Sequence, residues 1–327
     1  MIVKAKGASG RAEINFDGPK HALGLVQCLR SIGYDARLED AFIARGQHLK
    51  AIQAHGLCVE TPAGEIVIQP AKATDDPTQV APVDVIFVGV KAWQVETAAK
   101  DMQPIVGPET FVVPLQNGVE APSQLAAVLG AKHVLGGLCS TFSWVAAPGR
   151  IRNIGTSSFI KFGELDNRRS ERAERLRQSF EKAGVKVDIP ADIHKALWEK
   201  FLIVTSFGGV GSVSRAPIGV IRTVPETRLL LELCMQEAYA VARARRVPLN
   251  DTVVADTMKF IDSLAANATT SLQRDIADGK PSEIDFWNGS VVRQGQTVGV
   301  LTPVNQFIYH SVLPRELRAR GKVVFPQ

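Results

Sequence analysis

The run Val83-Asp84-Val85-Ile86-Phe87-Val88-Gly89-Val90 is almost wholly apolar and leads directly into a helical pattern from about Trp93 to Met102. A strand of that kind has to be covered on both faces, which a sheet flanked by crossover helices provides. The unit then repeats. Thr110-Phe111-Val112-Val113-Pro114-Leu115 reads as a second such strand, ends in the polar turn Gln116-Asn117-Gly118 and precedes a helix around Ser123 to Leu129; Val134 to Leu138 continues the series. From Ser140 to Phe162 the texture changes. Pro148-Gly149 separates two segments able to pair as a hairpin, and Phe159-Ile160-Lys161-Phe162 alternates, so an antiparallel edge to the sheet is expected. Arg169 to Ala183 carries Ala173, Leu176, Phe180 and Ala183 on one face with Gly184 as a stop, and Val185-Lys186-Val187 predicts a last strand.

Past Ile189-Pro190 the β signal is gone. Helical periodicity runs from about Asp192 to Leu317, with Leu230, Cys234, Ala238 and Val241 on one face of a helix starting near Pro225. Further helices fit Leu249 to Leu264, Glu283 to Thr297 and Pro303 to Leu317. The fold class is therefore α/β: a mostly parallel sheet domain over residues 1–190, followed by an all-helical domain over 191–327. A chain of 327 residues has the length for two such domains.

The charge balance limits the partners. Lys plus Arg exceeds Asp plus Glu by 5, spread thinly, which suits small anions and implies no nucleic acid. The tightest basic runs, Asn167-Arg168-Arg169 and Arg243-Ala244-Arg245-Arg246, read as solvated helix surface. Cys28, Cys58, Cys139 and Cys234 are scattered without metal-binding or disulfide spacing, so no metal is expected and the thiols read as reduced. No apolar run approaches the roughly 20 residues of a membrane span, and no signal peptide is visible behind Lys4 and Lys6, so a cytoplasmic protein is expected.

In open parallel sheets ligands lie beyond the carboxyl ends of the strands. Three strand ends here carry polar side chains: Arg45 after Phe42-Ile43-Ala44, Lys91 after Val90, and Asn117 after the Val112 strand. An arginine at the position of Arg45 suits a 2′-phosphate and so favours NADP over NAD; otherwise it is an ordinary surface arginine. In the helical half, Leu197-Trp198-Glu199-Lys200-Phe201-Leu202 sets Lys200 in an apolar helix, where a partly dehydrated amine can act as a proton donor or simply extend its head to water. Ser282-Glu283-Ile284-Asp285 has a plain reading as an N-cap with acids in the first helical turn.

Taken together these segments resemble the ketopantoate reductase (2-dehydropantoate 2-reductase) family. The matching stretches are Phe42-Ile43-Ala44-Arg45-Gly46, Val90-Lys91-Ala92-Trp93-Gln94, Leu115-Gln116-Asn117-Gly118-Val119, Leu197-Trp198-Glu199-Lys200, Thr270-Ser271-Leu272-Gln273-Arg274-Asp275, and Glu283-Ile284-Asp285 with Asn288-Gly289, in the family's order. The resemblance implies a Rossmann-like dinucleotide-binding domain ahead of a helical substrate domain, and NADPH-dependent reduction of ketopantoate to pantoate in pantothenate biosynthesis. It implies that Lys200 is the general acid and that Glu283 engages the substrate hydroxyl and holds Lys200. Ser271 would bind the substrate carboxylate, and Lys91 with Asn117 would position the nicotinamide end of the cofactor, Asn117 next to the substrate. Many members carry an asparagine one turn after the lysine where this chain has Val204, so a related 2-oxo acid is an open alternative.

A second departure is larger. Residues 1–41 hold no G-x-G-x-x-G turn: Gly7-Ala8-Ser9-Gly10 has the wrong spacing, Gly24 and Gly33 fall in or just after a helix-like stretch, and Gly209-Val210-Gly211 lies in the helical half. A disturbed reading frame or a divergent N-terminus would account for it. The remaining alternatives are a β-hydroxy acid dehydrogenase on a similar plan and a non-catalytic relic or sensor that has lost dinucleotide binding. A homodimer is a further expectation, by analogy alone.

Overall fold

The computed structural model describes residues 13–16 (backbone), 41–141, 143–154, 158–182 and 184–326. It divides into two compact units, one of residues 1–116 with 121–193 and the other of 117–120 with 194–327.

Unit 1 is built on five parallel strands: β1 (Glu13–Phe16), β2 (Phe42–Ala44), β5 (Ala73–Thr74), β6 (Val83–Val88) and β7 (Val106–Pro114), in the spatial order β5-β2-β1-β6-β7. The order reverses between β1 and β6, which makes that edge the topological switch point of a doubly wound sheet. A single parallel bridge from Val112 to Val134 leads on to β8 (Leu135–Ser140), which pairs antiparallel with β11 (Phe159–Glu164); β12 (Lys186–Asp188) lies parallel beside β11. Among the described residues the α-helices of this unit are α1 (Gly46–His55), α2 (Val95–Asp101), α3 (Ala121–Leu129) and α4 (Glu171–Lys182).

Strand alternation explains why both faces need cover. Val85 and Phe87 pack with Leu49 and Ile52 of α1 and Leu176 and Phe180 of α4, whereas Ile86 and Val88 pack with Val95 and Ala99 of α2 and Leu125 of α3. Each β6 side chain is 3% exposed or less apart from Asp84, so the unbroken apolar run is the expected result.

Two sequence expectations are corrected. The hairpin around Pro148-Gly149 exists, as β9 (Ser143–Ala147) and β10 (Arg150–Asn153), yet it does not edge the main sheet. It joins β3 (Leu57–Thr61) and β4 (Gly64–Ile68) in a separate four-stranded sheet, because β10 finds its second partner in β3, with Arg150 opposite Cys58. The N-terminal segment, whose sequence shows little strand pattern, supplies the central strand β1, bonded on one side to β2 and on the other to β6. Four residues are too few for periodicity to register, while the open backbone groups of two flanking strands are enough to fix them. The residues that follow β1, with Cys28 and the glycines at 7, 10, 24 and 33, lie outside the described residues.

The regular elements of unit 2 among its described residues are all helical: α5 (Ile193–Ser214), α6 (Ile218–Thr223), α7 (Pro225–Ala244), α8 (Val253–Ser263), α9 (Ser271–Ala277), α10 (Asn288–Val298) and α11 (Pro303–Ala319). Its core gathers Phe201, Leu202, Leu231, Cys234, Met235, Ile261, Leu272 and Trp287. On α7 the buried stripe uses Leu231 in place of Leu230, which is 37% exposed; Cys234, Ala238 and Val241 face inward as read. No helix among the described residues is long and apolar enough to cross a membrane, and none of their His, Cys, Asp or Glu side chains cluster to hold a metal.

Candidate active site

In unit 1 the polar residues stand at strand ends. Arg45 follows β2, is exposed, and donates from Nη2 to Asp101 Oδ2 at 2.8 Å, linking the start of α1 to the end of α2. Lys91 follows β6, half-buried, with its Nζ 5.7 Å from the centroid of the Trp93 ring. Gln116, a residue to which the sequence reading assigns no role, is 3% exposed; its Nε2 donates to the carbonyls of Val88 (2.9 Å) and Val90 (3.0 Å), while its Oε1 is buried without a partner. A buried acceptor left over at the carboxyl edge of β6 and β7 is a place for a ligand donor. The signal was available in sequence: an amide set directly where an apolar strand stops.

The other residues belong to unit 2. The peptide at 117–120 leaves β7 and lies against the segment ahead of α10. Gly118 has φ +116°, a conformation that favours glycine, and a Cβ there would come 3.6 Å from the Phe286 carbonyl oxygen. Glu120 pairs with Arg293 of α10 at 3.3 Å. Asn117, half-buried, begins this strap.

Lys200 lies on α5, half-buried beside Trp198 and Phe201, whose rings meet edge to face at 5.4 Å. Lys200, Val204, Gly208 and Gly211 share one face of this helix. Each glycine inside a helix costs roughly 1 kcal/mol relative to alanine, and close packing accounts for them here. A Cβ on Gly208 would sit 2.6 Å from Trp287 Cζ3, one on Gly209 2.6 Å from Asn288 Nδ2, and one on Gly211 against the Gln273 amide. Gly209-Val210-Gly211 is thus a mid-helix packing surface with no phosphate-binding geometry. Val204 packs on the same apolar core as Val119 and Phe286.

Ser271 is the first residue of α9 and 8% exposed. It is fixed by a capping box in which Thr270 Oγ1 accepts from Gln273 N (3.2 Å) and Gln273 Oε1 accepts from Thr270 N (2.8 Å). Glu283 is 5% exposed and starts a 3₁₀ turn, Ile284–Phe286, ahead of α10. This corrects the plain reading of Ser282 as an N-cap: α10 begins six residues later, at Asn288, and Ser282 gives both its N–H and its hydroxyl to Glu316 of α11. Asp285 does not act through a helix dipole either; its Oδ1 accepts from Tyr309 Oη (2.8 Å) and Arg293 Nη1 (2.8 Å). Burial, together with that carboxylate, pushes the Tyr309 phenol up to about 12.

A doubly wound α/β unit with polar strand ends, joined to a helical unit carrying a half-buried lysine and a buried glutamate, is the plan of a two-part oxidoreductase. Residues 33–167 match the family description "Ketopantoate reductase PanE/ApbA" and residues 192–316 that of its C-terminal part, and the chain belongs to this family of oxidoreductases acting on CH–OH groups. Among proteins it is similar to, the "Uncharacterized oxidoreductase YkpB" of Bacillus subtilis is 25% identical over 82% of this chain and 88% of that one. A 2-dehydropantoate 2-reductase of Mesorhizobium japonicum is 29% identical over 82% and 87%. The crystal structure of a PanE/ApbA family ketopantoate reductase from Ralstonia eutropha superposes with a TM-score of 0.83 at 28% identity, covering 94% of this chain and 98% of that one.

Proposed function

We propose that this protein uses NADPH to reduce 2-dehydropantoate, or a 2-oxo acid close to it, to the 2-hydroxy acid. The observation that carries the reading is the makeup of unit 2: the strap of Asn117, the capped Ser271 and the buried segment of Glu283 all belong to the unit whose central helix bears Lys200.

Support for a nicotinamide cofactor comes from unit 1. The strand order reverses beside β6, and the unpartnered Oε1 of Gln116 can take a donor such as the nicotinamide carboxamide. Lys91, Asn117 and Arg45 would hold it, and when bound it supplies hydride to the ketone carbon. Lys200 holds a proton at Nζ and gives it to the ketone oxygen as that oxygen becomes anionic, its positive charge favouring the change while the proton moves. Ser271 Oγ–H donates to the substrate carboxylate. Glu283 accepts from the substrate hydroxyl and holds Lys200 in place. A cytoplasmic enzyme is consistent with this use of NADPH.

Val204 supports a second substrate. An apolar side chain one turn from Lys200, packed among apolar neighbours, favours a 2-oxo acid whose side chain lacks a hydroxyl. A panel of ketopantoate and 2-oxo acids with purely apolar side chains, followed by loss of nicotinamide absorbance, separates the two. Running the same panel in the oxidative direction tests a hydroxy acid dehydrogenase. Absence of turnover on every member, with no heat on titrating NADPH into the protein, leaves a non-catalytic relic.

Arg45→Ala tests the choice of cofactor. Losing a charge-assisted contact to a 2′-phosphate is expected to raise KM for NADPH about tenfold while KM for NADH stays within about twofold. Equal change for both would remove Arg45 from the site.

A further inference from the structure

The last helix grips the segment around Glu283 at three points. Asn305 Oδ1 accepts from Asn288 Nδ2 at 3.0 Å, Tyr309 Oη donates to Asp285 at 2.8 Å, and Glu316 Oε2 accepts from Ser282 N at 2.8 Å and Ser282 Oγ at 2.5 Å. Residues 305, 309 and 316 lie on one face of α11, at spacings of four and seven, and they meet residues 288, 285 and 282 in reverse order. The grip is tightest at Ser282, next to Glu283. Glu316 also accepts from Arg320 Nε, and Arg320 Nη2 donates to the Ser282 carbonyl at 3.2 Å. The N–H, hydroxyl and carbonyl of Ser282 are therefore all engaged by one Glu–Arg pair, and the Glu283 carbonyl accepts from the N–H groups of Phe286 and Trp287, each at 3.0 Å.

Stability alone is a poor reason for this arrangement. A buried ion pair contributes little compared with apolar side chains of similar volume, because desolvation offsets the attraction. Glu316 is 3% exposed and Ser282 fully buried. What the pair does provide is a fixed backbone on the N-terminal side of Glu283, and reaction geometry depends on such fixing at the sub-ångström level.

We infer that Glu316 and Arg320 are positioning residues that act through Ser282 to set the place of Glu283, so that the last helix of the chain tunes substrate binding without touching substrate. This rests on the reading of Glu283 as a substrate-binding carboxylate.

The test uses the full-length protein, NADPH and the best substrate of the 2-oxo acid panel. Ser282→Ala, Glu316→Gln and Glu283→Gln are made singly, and Ser282→Ala is combined with Glu283→Gln. Ser282→Ala keeps the backbone N–H bond and is the variant least prone to misfold; circular dichroism and KM for NADPH, both expected at wild-type values, check that it is intact. The expected result is a rise of about tenfold in KM for the 2-oxo acid in Ser282→Ala and Glu316→Gln, and no further loss when Ser282→Ala is added to Glu283→Gln. Wild-type kinetics in both single variants, or the full Ser282→Ala loss repeated in the Glu283→Gln background, would overturn the positioning role while leaving Glu283 in place. Wild-type kinetics in Glu283→Gln would remove the role of Glu283 and the inference with it.

Discussion

Lys200→Ala is expected to lower kcat for 2-oxo acid reduction about a thousandfold while the protein stays folded and still binds NADPH. Protonation of the developing alkoxide and electrostatic stabilisation of its charge both pass through this amine, and general-acid and oxyanion effects of this kind each contribute factors of about a hundred or more. Lys200 is only half-buried, so the truncation removes little core volume. Lys200→Arg separates the two contributions. A guanidinium keeps the positive charge but gives up its proton reluctantly, so the arginine variant should remain at least about a hundredfold slow. Following nicotinamide absorbance at saturating cofactor measures both, and an alanine variant within a few-fold of wild type would exclude Lys200 as the acid.

The largest structural effect is expected at Gly208. A valine there places its Cβ 2.6 Å from Trp287 Cζ3 and 3.2 Å from Leu272 Cδ2, inside a core where Trp287 is 1% and Leu272 0% exposed. Neither side chain has room to move. Better helix propensity returns well under 1 kcal/mol, whereas overpacking and the lost fit cost about 3 kcal/mol, so unfolding should shift down by several degrees in a thermal melt. Because Gly208 shares a face with Lys200, the variant should also lose activity below its melting temperature. Gly279→Ala is the control: that glycine has open space around it, and its strain comes only from a positive φ of +66°. A melt for Gly208→Val no lower than that of Gly279→Ala would mean that α5 does not need the close approach.

Much of unit 1 was legible because its strands are covered on both faces. That requirement writes continuous apolar runs such as Val83 to Val90 into the chain, and the helices between them show their own period. The hairpin turn at Pro148-Gly149 was readable for a local reason, since Gly149 takes φ +73°. Its partner strand was not, because pairing of β10 with β3 joins residues far apart in sequence that share no local signal. The same limit hid β1, whose four residues are defined by the slot they fill.

Within the helical unit, the sequence marked Lys200, Ser271 and Glu283 as worth watching through their order along the chain. It read Gly209-Val210-Gly211 only as a G-x-G misplaced in the helical half, when these glycines, with Gly208, are the surface on which Trp287, Asn288 and Gln273 pack. It read Ser282 as a cap, when it is held by Glu316 from the far end of the unit.

The amino-acid sequence by itself determined the two kinds of architecture and the family, since these follow from periodicity and from short segments in fixed order. Only the tertiary structure decided which strand is central, which glycines admit a neighbour and which carboxylates hold backbone rather than solvent. Those outcomes depend on groups brought together across long stretches of chain, where burial makes each polar atom find a partner that no local pattern names.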